Sequence, residues 1–218
     1  MLGMNELLFF TQTILIVSFV LGALKLGKEA LIAWVAIQAL VANLFVLKQI
    51  SLFGFDVTAS DAFAIGSLLG LNLLQEFYGK EEAHKATWIC FFFMAFFTLV
   101  SQVHLLYLPS LYDTTQKAFL EILSASPRLL IASMCVFFVV QKMDIYLFSF
   151  FKNTFPNMNF AFRAGISLVI SQFMDTLLFT LSGLSGFVAS VVEVVIISFA
   201  IKLLVIFCST TCLRWIRA

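Results

Sequence analysis

The stretch from Thr58 to Lys85, TASDAFAIGSLLGLNLLQEFYGKEEAHK, constrains this chain more than any other. It is apolar enough and long enough to cross a bilayer. It nevertheless carries Asp61, Ser67, Asn72, Gln75 and Glu76 in or beside the span, then breaks at Gly79 into what reads as a charged turn. At about 100° per residue, Asp61, Leu68, Asn72 and Glu76 share one face of a helix. Polar groups are costly in hydrocarbon, so that face must look into a bundle or a cavity. Gly66 and Gly70 form a G-x-x-x-G pair, which lets a neighbouring helix approach closely. The segment reads as a polar-faced, ligand-facing helix inside a membrane bundle.

Composition extends that reading to the whole chain. Hydrophobic residues make up 62% and charged residues 11%, too few charges to cover a soluble domain of 218 residues. The expected fold is all-α, a polytopic bundle of six to seven transmembrane helices forming one domain over residues 1–218. With a net charge of +1 and no basic run, nothing points to nucleic acid. Cys90, Cys135, Cys208 and Cys212 lie scattered in apolar segments without metal-ligand spacing, so neither a metal site nor a disulfide framework is expected. The N-terminal run opens with Glu6 rather than lysines and is too long for a typical signal peptide.

Seven segments have the length a bilayer requires, about 20 residues. They are Leu7–Leu26, Ala30–Leu47, Thr58–Tyr78, Ala86–Leu108, Arg128–Phe150, Ala164–Leu184 and Phe187–Cys208. The long connection Pro109–Pro127 has room for an amphipathic helix over Gln116–Leu123. Lys25, Lys28, Lys80, Lys85, Lys152, Arg163, Arg214 and Arg217 fall at alternate ends of these spans. The positive-inside rule makes those ends cytoplasmic, with the N-terminus outside and the C-terminus inside. Trp88 and Trp215 suit interfacial anchors, whereas Trp34 sits mid-segment and does not.

Further polar groups interrupt the later spans. Gln141 and Asp144 lie three residues apart on one face of the fifth. Ser171, Gln172, Asp175 and Thr176 cluster in the sixth. Glu193 and Lys202 in the last span point in roughly opposite directions, and Lys202 shares its face with Ser198. Purely structural roles compete with functional ones: Asp61 as a wet or capping acid, Glu76 as an i,i+4 partner of Lys80, Asp175 as an ion-pair partner of Lys202. Gly183-Leu184-Ser185-Gly186 matches the G-x-S-G of rhomboid intramembrane proteases. Both histidines, His84 and His104, lie upstream of Ser185, so the base that family places on a later helix is lacking. An intramembrane serine hydrolase is thus a remote alternative, and no enzymatic activity or cofactor is expected.

Four motifs give a resemblance: FGFDVTASDAF followed by NLLQEFYGKEEAHKA, Arg128-x₁₂-Gln141-x-x-Asp144, SQFMDTLLF from Ser171 to Phe179, and Lys202 in the last span. In this order they resemble the queuosine precursor transporter family, also called the vitamin uptake transporters, over about the last three quarters of the chain. The resemblance implies inner-membrane import of 7-deazaguanines such as preQ0, preQ1 or queuine, and kinship with substrate-binding components of energy-coupling-factor transporters. No Walker motif is present, so any ATP hydrolysis would come from a partner ATPase module. A proton-coupled carrier for another vitamin-like solute is the main alternative. A 7-deazaguanine offers N–H donors, a carbonyl and an aromatic face. Glu76 and Asp175 are expected to accept from the donors, while Asn72, Gln141, Gln172 and Lys202 donate and Asp144 holds a ligand amine. Asp175 and Glu76 are expected to line one pocket.

Overall fold

A computed structural model describes residues 3–46, 48–58, 60–123, 127–184 and 191–213. Helices α1 (Met4–Leu26) and α2 (Lys28–Phe45) are followed by a hairpin of strands β1 (Gln49–Leu52) and β2 (Phe55–Thr58). Then come α3 (Asp61–Tyr78), α4 (Lys80–Leu105), α5 (Gln116–Leu123), α6 (Pro127–Thr154), α7 (Phe160–Phe179) and α8 (Val191–Leu213). Six of these helices are long and apolar enough to span a membrane: α1, α2, α4, α6, α7 and α8. This is the polytopic helical bundle that the composition requires.

Helix α3 is the exception, and the reason lies in its polar stripe. Its five strongly polar positions make it too hydrophilic to face lipid, and 13 of its 18 residues are buried. It packs against all six of the apolar helices, which keep less than half of their own residues buried. The segment that looked central in sequence is the hub of the bundle.

The two glycines of α3 set how closely that hub is held. A Cβ at Gly70 would lie 2.8 Å from Cδ1 of Trp34 and 3.2 Å from Cγ2 of Val35, both on α2. One at Gly66 would lie 2.7 Å from Cγ2 of Ile16 on α1. Trp34, unsuited to an interface, instead donates its indole N–H to the Gly66 carbonyl at 3.0 Å. Because an indole ring cannot bend aside, Gly70→Val is expected to cost about 1–3 kcal/mol of stability. Thermal unfolding of the purified variant, which should melt several degrees lower, checks this.

Connections at one end are abrupt. Gly27 (φ 111°) and Gly79 (φ 96°) each join two helices through a single residue whose backbone an L side chain rarely adopts. The expected charged turn after Gly79 is therefore not a loop: Lys80, Glu81, Glu82 and Lys85 form the first turns of α4. Glu82 pairs there with Lys28 at 3.3 Å. The Asn159 side chain caps α7 by accepting from the Phe162 N–H at 2.9 Å.

The opposite end carries two elements of different legibility. Helix α5 spans the expected Gln116–Leu123, with Phe119, Leu120 and Ile122 exposed as an interfacial helix requires. The β-hairpin was not expected in an all-α reading. Its Phe53-Gly54 turn has positive φ at both residues (52° and 84°), the twist two-residue hairpins need. Asn5 and Glu6 of α1 hold it: the Asn5 amide donates to the Ser51 carbonyl, and the Phe53 N–H donates to the Glu6 carboxylate at 2.8 Å. Helix α7 runs on as a π-helical turn over Thr180–Leu184. Ser185, Arg214, Trp215, Arg217 and the side chains of Arg128 and Glu193 lie outside the described residues.

Candidate functional site

Polar groups on α3 are spread along its axis, and each meets a different set of partners. Asp61 and Glu76 share a helical face but stand fifteen residues apart, about 22 Å at 1.5 Å per residue. Three polar layers result.

The first layer, at the hairpin end, is a cavity of ≈ 330 Å³ among the hairpin, the first turn of α3, and parts of α2, α6, α7 and α8. The hairpin contributes Asp56, Val57 and Thr58; Phe137 and Phe179 supply aromatic surface. Asp61, Asp175 and Lys202 meet in it. The Lys202 ammonium lies 2.6 Å from Oδ2 of Asp175 and 3.7 Å from Oδ1 of Asp61. Side-chain exposures of 5%, 10% and 15% for Lys202, Asp61 and Asp175 make this a desolvated cluster with two carboxylates to one cation. Oδ2 of Asp61 is buried without a hydrogen-bond partner. The expected Lys202–Asp175 contact and the shared face of Ser198 and Lys202 are both present. Asp61 is the acid that sequence reasoning left out of the site. Its place on the same stripe as Asn72 was the signal.

The middle layer is closed. Asn72, Gln141, Asp144, Ser167, Ser171 and Gln172 are each at most 1% exposed. Oδ1 of Asp144 accepts from the hydroxyls of Ser167 (2.7 Å) and Ser171 (2.8 Å). The Asn72 amide lies against Asp144 without forming a well-aligned hydrogen bond. Gln141 donates to Ser67 at 3.3 Å, and Ser67 donates to the Val35 carbonyl at 3.0 Å. Oδ2 of Asp144, both polar atoms of the Asn72 amide and Oε1 of Gln172 have no hydrogen-bond partner.

The third layer, at the Gly79 end, is an ionic lock. Glu76 takes Arg163 of α7 at 2.7 Å and Lys152 of α6 at 3.0 Å. Lys152 also donates to the Glu76 carbonyl at 3.1 Å, and the Gln75 amide donates to the Ile145 carbonyl at 3.1 Å. Lys80, the expected i+4 partner of Glu76, instead sits 4.0 Å over the Tyr146 ring. The expectation that Glu76 and Asp175 line one pocket is therefore not met in this geometry: one belongs to the lock, the other to the cavity.

A family model described as "Putative vitamin uptake transporter" matches residues 59–216, from just before α3 to beyond α8. The chain is 34% identical over 155 residues to the "Probable queuosine precursor transporter" of Bacillus subtilis (strain 168), covering 71% of this chain and 68% of that protein. No solved structure matches. The charged and amide side chains of the three layers, from Asp61 to Lys202, fall inside the matched region, whereas α1, α2 and the hairpin precede it, the last two also lining the cavity.

Proposed function

Because the chain belongs to the vitamin uptake transporter family, we propose that it imports 7-deazaguanine precursors of queuosine across the inner membrane, taking them up in the outer cavity. It acts as a carrier and not as a catalyst. The observation that carries this reading is the Asp61–Lys202–Asp175 cluster in a cavity of ≈ 330 Å³. That volume is at the small end of ligand sites, about 300–1,000 Å³, and suits one bicyclic base. The basic residues that flank the α1–α2, α3–α4 and α6–α7 connections support, by the positive-inside rule, an outer cavity and an inner lock.

Recognition then uses the cluster directly. Asp175 accepts from the pyrimidine-edge N–H groups, Lys202 donates to the ring carbonyl, and Phe137 or Phe179 covers the aromatic face. Two carboxylates against one ammonium leave a net negative charge, and the unpartnered oxygen of Asp61 is placed to take a ligand ammonium. The cavity thus favours preQ1 and queuine, which carry an amine, over the neutral nitrile preQ0. Asn72, Gln141, Asp144 and Gln172 lie deeper, on the route between the cavity and the lock. Glu76 keeps the lock closed and does not touch ligand at the outer site.

Complementation tests this. Cells unable to make or import the precursors, expressing this chain, are fed each base, and queuosine is assayed in their tRNA. Restoration is expected at lower concentrations of preQ1 or queuine than of preQ0. Asp175→Asn replaces an acceptor by a donor, and losing a charge-assisted bond of this kind is expected to raise the half-saturating concentration roughly tenfold to a hundredfold. Failure of every base with the protein present in the membrane would contradict the reading.

A further inference from the structure

Buried carboxylates elsewhere in the described bundle have a cation against them. Glu76 has Arg163 and Lys152, while Asp61 and Asp175 share Lys202. Asp144 is fully buried and has no cation partner among the described residues. A buried unpaired carboxylate is costly, and two serine hydroxyls on one oxygen offset only part of that cost. Its second oxygen has no hydrogen-bond partner, and neither has either polar atom of the neighbouring Asn72 amide. A proton on Asp144 Oδ2 removes that uncompensated charge from the closed layer.

The position of Asp144 suits exchange with both sides. Arg163, Ser167, Ser171 and Asp175 recur every four residues on one face of α7, each about 6 Å along the axis from the next. The two serines bind Asp144. Arg163 belongs to the inner lock and Asp175 to the outer cavity. Asp144 therefore lies between the two ends of the transport route, and each of its two serines is one helical turn from one end.

We propose that Asp144 is the proton-carrying residue of this transporter, so that one proton enters with each substrate molecule and no ATPase module is needed. The inference rests on the transport reading above. In the outward-facing state the Asp144 carboxylate takes a proton from water in the outer cavity. When the lock opens, the carboxylic acid releases that proton to inner water and is a carboxylate again. Titratable groups that reach α6 from the elements packed around it have partners of their own among the described residues. On α3, Asp61 and Glu76 have the partners just described. On α4, His84 lies 3.3 Å from Lys142 of α6, Lys80 sits over Tyr146, and Cys90 accepts from Gln141. On α7, Arg163 and Asp175 are ion-paired.

Two measurements test this, one without any substrate. Infrared difference spectra of the purified protein in lipid, recorded as pH is changed, are expected to show a carboxylic C=O stretching band that disappears in Asp144→Asn. In Ser171→Ala, where the carboxylate has lost a hydroxyl donor, the band should titrate at higher pH. In ATP-free proteoliposomes with an acidic exterior, the wild type is expected to accumulate labelled preQ1 above equilibrium, and a protonophore should abolish this. Asp144→Asn should lower proton-driven accumulation at least tenfold, while Asp144→Glu keeps a measurable part with a displaced pH profile. The proposal is overturned if no band is specific to Asp144, if Asp144→Asn accumulates preQ1 like the wild type, or if accumulation follows a sodium gradient or ATP instead. A titrating band without preQ1 uptake in the wild type supports the proton site and counts against the substrate reading alone.

Discussion

Lys202→Met should remove most of the folded protein from the membrane and, with it, uptake. The substitution keeps the length of the side chain but takes away the cation shared by Asp61 and Asp175, two carboxylates in a desolvated corner. Breaking a buried ion pair from one side costs about 3–5 kcal/mol, because a charge is left uncompensated. That is a large share of the stability of an ordinary domain, about 5–15 kcal/mol. A second substitution separates structure from recognition. Adding Asp175→Asn to Lys202→Met removes one of the stranded charges and should return much of the protein. It should not return uptake, since the ring carbonyl and the pyrimidine edge would both lack their charged partners. Membrane protein levels and labelled-base uptake, measured on the same cells, read the two effects independently. Full uptake in Lys202→Met would show that the cluster neither holds the fold nor meets the ligand.

Glu76→Gln is expected to act through stability at the opposite end. The amide cannot neutralise Arg163, whose side chain is only 7% exposed, so a buried guanidinium is stranded. Lys152 is 36% exposed and can turn to water, which limits the loss to one buried charge. The melting temperature should fall by several degrees, and the effect should be largely reversed by Arg163→Met in the same chain. Wild-type stability in Glu76→Gln would mean that the lock contributes nothing to the closed state.

These two residues also mark how far the sequence could be read. That α3 is the hub follows from its composition, since a helix with Asp61, Asn72, Gln75 and Glu76 cannot face lipid. The closeness of α2 follows from Gly66 and Gly70, and α5 from its short apolar face. Helical phase said that Asp61, Asn72 and Glu76 share a face, and it was right. Phase says nothing of depth, however, and 22 Å of helix axis assigns those groups to three separate layers. The partner of Glu76 was out of reach for the same reason. Lys80 is four residues away, but Arg163 is 87 and Lys152 is 76 residues away, and only the tertiary packing of α6 and α7 brings them in. The hairpin was hidden because QISLFGFDVT is short, sits between two long apolar segments, and turns on Phe53-Gly54 rather than on the Asn-Gly or Asp-Gly that usually signals such a turn.

The separation of cavity from lock is the central claim, and direct binding tests it most simply. Labelled preQ1 is titrated into purified protein in lipid nanodiscs, for the wild type, Asp175→Asn and Glu76→Gln, with binding normalised to folded protein. Asp175→Asn is expected to bind roughly tenfold to a hundredfold more weakly. Glu76→Gln, remote from the cavity, should stay within about twofold of the wild type. Unchanged affinity in Asp175→Asn together with lost affinity in Glu76→Gln would contradict the account, placing the ligand at the lock instead of in the outer cavity.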